Sequence, residues 1–97
     1  MTKAKLTKLI KDISAVEREG FRWNTETKTY DDIMVTPTII QVDGKLLISG
    51  EDGKGFVDYY GEYRGGYPWI DPKLEEIAEK HGFYWEWENP GAICLAD

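Results

Sequence analysis

At 97 residues the chain is long enough for one domain, spanning residues 1–97, with one core and little stability to spare. Its 41% hydrophobic content excludes a disordered chain, and a net charge of −6 disfavours direct contact with nucleic acid or an anionic membrane, because that field repels phosphate. A single cysteine, Cys94, excludes an internal disulfide framework and suits a reducing, cytoplasmic compartment, and no stretch approaches the roughly 20 apolar residues of a membrane-spanning helix.

The first element is an amphipathic helix. Leu6, Leu9, Ile10, Ile13 and Val16 recur at helical spacing, and Gly20 is expected to stop it. Lys3, Lys5, Lys8 and Lys11 crowd its front half, against the sign of the helix dipole, and they interrupt any signal-peptide-like apolar run. Phe21 and Trp23 open a strand, Asn24 to Thr29 is a polar turn, and Tyr30 to Val35 returns. Residues 38–49 carry a hairpin signal: a β-branched run, Asp43-Gly44 at the two-residue turn, then Lys45 to Ser49. The glycines from Gly50 to Gly55 make a loop.

Phe56, Tyr59, Tyr60 and Tyr63 are spaced as one face of a short helix that Gly61 interrupts; Gly65-Gly66 and Pro68 then enforce a loop. A second helix is expected over about 72–81, with Asp71 as N-cap, Pro72 in its first turn and Gly82 at its end; Leu74, Ile77, Ala78 and His81 form its inner face. Residues 83–96 form a second hairpin turned by Asn89-Pro90-Gly91, with Phe83, Trp85 and Trp87 alternating against Tyr84, Glu86 and Glu88. The expected fold class is α+β, a small mainly antiparallel sheet packed with the two helices. Leu74, Ile77, Ile93 and either Phe83 or Trp85 are expected to share its core.

Catalytic chemistry finds little to work with. Gly50 to Gly55 departs from a phosphate loop, since Ile48 and Gly55 stand where glycine and a hydroxyl residue belong. His81 is the only histidine and, with Cys94, cannot complete a zinc site; both are read as structural, Cys94 as a small core residue. The pairs Asp58/Glu62 and Glu75/Glu79 have the i,i+4 spacing of solvated helix faces, not of carboxylates across a cleft. The expectation is a non-enzyme without cofactor or metal.

Charge is unevenly placed. Residues 1–20 hold five bases and three acids, residues 21–63 four bases and eight acids, and residues 64–97 three bases and seven acids. Tyrosine and tryptophan are mixed into the two acidic sections, pairing rigid contact area with electrostatic steering. Asp31, Asp32, Asp43, Glu51, Asp52, Asp58, Glu62, Glu75, Glu76 and Glu79 are expected in turns or on outer helix faces, hydrated and ionised. With Tyr60, Tyr63, Tyr67 and Trp69 they make up the candidate partner-binding surface.

In size, acidity, aromatic content and want of a catalytic set, the whole chain resembles the small phage-encoded anti-CRISPR proteins of the DNA-mimic type. The run from Asp58 to Trp69 has the look of a segment peculiar to one family, although those inhibitors share no sequence signature from which individual residues transfer. The resemblance implies a monomeric inhibitor that covers the basic surface of a nucleic-acid-binding protein, such as a Cas subunit, in the cytoplasm of an infected cell. The basic first helix departs from a uniformly acidic mimic. Two other classes fit the residues: a carbohydrate-binding module stacking sugars on Trp23, Trp69, Trp85 or Trp87, and an interaction domain of a larger complex.

Overall fold

The computed structural model describes residues 2–52, 54–60 and 68–97. In chain order the elements are α1 (Lys3–Ser14), β1 (Arg18–Asn24), β2 (Thr29–Val35), β3 (Ile39–Val42), β4 (Lys45–Ser49), β5 (Val57–Asp58), β6 (Trp69–Ile70), α2 (Pro72–Lys80), β7 (Tyr84–Asn89) and β8 (Ala92–Ala96). Every strand pair is antiparallel, so the α+β expectation holds. None of the described helices is long and apolar enough to cross a membrane.

The two expected hairpins merge into one sheet of order β3-β4-β8-β7, joined where Leu47, Ile48 and Ser49 of β4 face Cys94, Ile93 and Ala92 of β8. Facing residues in a ladder share a side, so one row runs Ile39, Ile48, Ile93, Trp87 and the next, on the opposite side, Ile40, Leu47, Cys94, Glu86. The first side is the inner one. Its buried Leu46, Ile48 and Ile93 meet Leu9 and Ile13 of α1, Leu74 of α2 and Phe56, with Ile77, Trp85 and Trp87 packed at the edge. Cys94 therefore lies on the outer side, half-buried, and does not belong to the core as expected.

The turns obey their residues. Asp43 and Gly44 both take positive φ, 49° and 75°, as the tight turn between β3 and β4 requires. Asp71 caps α2 by accepting from the Lys73 backbone N–H at 2.9 Å, and Trp85 Nε1 donates to the Leu74 carbonyl at 2.8 Å, pinning that helix to β7.

Gly20 departs from its expected role. Helix α1 ends at Ser14, and Gly20 is a strand residue paired with Ile33. A Cβ at position 20 would stand 2.9 Å from Val35 Cγ1, so glycine serves close approach across the strands and not helix termination. Residues 57–58, where the spacing left a short helix or a loop open, form the strand β5 paired to β6, while Tyr63 and the rest of 61–67 lie outside the described residues. Phe56, just before the strand, and Val57 within it are both buried in the core.

A candidate docking arm

Strands β1 and β2 pair only with each other, in a two-stranded sheet apart from the four-stranded one. They make an arm, and the register decides what each of its sides carries. Glu19, Phe21 and Trp23 share a side with Met34, Asp32 and Tyr30; Arg18, Gly20, Arg22 and Asn24 share the other with Val35, Ile33, Asp31 and Thr29. The first side holds four of the eight large hydrophobic residues exposed in the described fold. Phe21 is 73% exposed, Tyr30 68%, Met34 57% and Trp23 50%. Their rings are mutually ordered: Tyr30 meets Trp23 edge-on at 5.0 Å between centroids and Phe21 at 6.4 Å. At the tip, Asn24 Oδ1 accepts from the Glu26 and Thr27 backbone N–H groups, and Asn24 Nδ2 donates to Asp31 at 3.0 Å. A shallow polar groove beside Trp23 is lined by Arg22, Asn24, Thr25, Glu26 and Asp31.

The base of the arm is anchored by Arg18. Its guanidinium donates to Asp71 at 2.6 Å, with the carboxylate itself buried, and lies over the rings of Trp69 at 5.3 Å and Phe56 at 5.9 Å. One side chain thereby joins the arm, the capped start of α2 and the β5–β6 pair.

No family model, curated sequence or solved structure matches this chain.

The residues picked from sequence do not converge. Asp31 and Asp32 are consecutive in β2, not in a turn, and point to opposite sides of the arm. Asp43 sits at the β3–β4 turn. Glu51 lies in the loop after β4. Asp52 is half-buried: Oδ1 accepts from the Lys54 backbone N–H at 3.0 Å, and Oδ2 is enclosed without a partner among the described residues, so this carboxylate is not the hydrated group expected. Asp58 is half-buried in β5. Glu75, Glu76 and Glu79 are exposed on α2, where Glu76 precedes Lys80 by one turn and offsets part of the Glu75/Glu79 repulsion. Of the aromatics, Tyr60 is exposed and stacks edge-on to Tyr59, which in turn meets Trp87 at 5.1 Å. Trp69 is half-buried beside Arg18. Glu62, Tyr63 and Tyr67 lie outside the described residues.

Phe21, Tyr30, Met34 and Glu19 were not singled out from sequence as a site. The signal was present as two alternating runs, Glu19-Phe21-Trp23 and Tyr30-Asp32-Met34. Such alternation ordinarily marks a core-facing side, and only the fold shows that this one is exposed.

His81 and Cys94 have structural surroundings. His81 Nε2 and Asp12 Oδ2 are 2.8 Å apart, joining the end of α2 to α1, and this bond holds the Asp12 carboxyl below its ordinary range, with help from Lys80. Burial pushes the Cys94 thiol up, away from reactivity. Among the described residues no three His, Cys, Asp or Glu side chains converge as a metal-ligand group.

Proposed function

We propose that this protein is a non-enzymatic inhibitor that docks by its β1–β2 arm on the basic surface of a nucleic-acid-handling protein and obstructs DNA binding there. One observation carries the reading: an ordered aromatic face, with Glu19 and Asp32 beside it, stands exposed on an arm whose strands pair, among the described residues, only with each other. Contiguous exposed apolar surface of this kind marks an interaction site, and aromatic residues are the usual anchors of such sites. The net charge of −6 adds steering toward a basic partner. The resemblance to the anti-CRISPR inhibitors names one such target, a subunit of a CRISPR effector in the cytoplasm. Contact by the arm replaces the distributed carboxylate surface as the principal means of binding.

The test is a capture experiment from host lysate with the wild-type protein and a variant carrying Phe21→Ser, Trp23→Ser and Tyr30→Ser. The wild type is expected to retain a nucleic-acid-handling protein whose DNA binding then falls, and the variant to retain none. Equal capture by the variant, or undisturbed DNA binding by a saturated partner, contradicts the proposal.

The exposed ring of Trp23 favours a second reading, stacking of a sugar ring on it. Glycan binding quenches Trp23 fluorescence with little salt dependence, whereas a basic protein dissociates steeply as salt rises.

A further inference from the structure

We infer that the arm takes an arginine-bearing segment of its partner, with guanidinium groups laid over Trp23, Tyr30 and Phe21 and paired to Glu19 and Asp32. This rests on the proposed docking function and specifies its chemistry. The register segregates charge across the arm: both arginines of its strands, Arg18 and Arg22, lie on the side opposite the rings. Arg18 is committed to Asp71, and Asp31 on that same side is held by Asn24. The aromatic side keeps Glu19 and Asp32, which have no salt-bridge partner among the described residues. A face of π-systems flanked by carboxylates, with the strand cations turned away, is complementary to a cation with planar, weakly hydrated character. Arginine meets that description better than lysine, because its guanidinium stacks on rings while its N–H groups fork to a carboxylate. The same side chain already behaves this way within the fold, where Arg18 lies over Trp69 and Phe56 and pairs with Asp71.

The experiment titrates the whole protein with a short oligo-arginine peptide while following the indole N–H signals of its tryptophans by NMR, with an oligo-citrulline peptide as the uncharged control. The arginine peptide is expected to shift Trp23 and the amides of β1 and β2 and to leave Trp85 and Trp87 in place; citrulline should bind at least about tenfold more weakly. Trp23→Ser should abolish the response, with its amide spectrum unchanged outside the arm as the check on folding. Glu19→Gln with Asp32→Asn, which keeps every ring, should weaken it several-fold, and Asp31→Asn on the opposite side should not. Shifts centred on Glu75, Glu76 and Glu79 of α2, or equal affinity for citrulline, overturn the inference. If the peptide leaves the arm unmoved while the triple serine variant still loses the captured partner, the arginine assignment fails and the docking function stands. If neither the peptide nor the serine variant has an effect, both fall.

Discussion

Asp71 ties helix α2 to the base of the arm. It is buried, caps α2 through Lys73, and holds Arg18 at the base of the arm. Removing one partner of a buried ion pair strands the other, so Asp71→Ala should cost about 3–5 kcal/mol in urea unfolding. A cost below about 1 kcal/mol would remove the pair from its anchoring role. The Asp12–His81 bond makes a pH prediction. The Asp12 carboxyl titrates lower in the folded chain than its ordinary value of 3.8, chiefly through the His81 hydrogen bond. The folded state thus binds fewer protons at this site than the unfolded one. Its stabilisation is present above the ordinary value and is lost as pH falls through the folded one. Thermal unfolding followed from neutral pH down through pH 3.8 should show a shallower acid decline for Asp12→Asn than for wild type. An identical slope would contradict the assignment.

At the scale of elements, the arm and the body should open separately. A two-stranded hairpin is marginal alone, and this one is held to the body chiefly at its base by Arg18, while β4 and β8 are central strands over the core. Amide hydrogen exchange is expected to be fast along β1 and β2 toward Asn24 and slow in β4 and β8; equal protection would mean that the arm belongs to the cooperative core. The same contrast explains what sequence revealed. The β3–β4 turn was legible because Asp43-Gly44 has a conformational requirement few other pairs meet, and α2 because Asp71, Pro72 and Gly82 mark both ends. Gly20 misled because glycine ends helices and also permits close strand approach, and only the neighbour, Val35, distinguishes these. The helical spacing of Phe56, Tyr59 and Tyr60 did not reveal β5, because a two-residue strand is too short to show a period. The aromatic face of the arm was not legible as a site, since alternation reports a side and not whether anything covers it.

For the whole molecule, net charge overstated the unity of the acidic surface. The carboxylates are spread over the arm, the β3–β4 turn, the loop after β4 and helix α2, and those of Asp31 and Asp52 are engaged within the fold. Charge of this distribution can steer a basic partner but forms no single binding face, and the proposed anchor is the exposed rings of the arm. On the proposed reading, contact with that partner is made by the arm. It is tested most directly by placing a photo-crosslinking amino acid at Tyr30 in one preparation and at Glu76 in another, and irradiating each in host extract. The expected result is a crosslink from position 30 to a nucleic-acid-handling protein and none from position 76. A crosslink to that protein from position 76, with position 30 silent, would contradict docking by the arm.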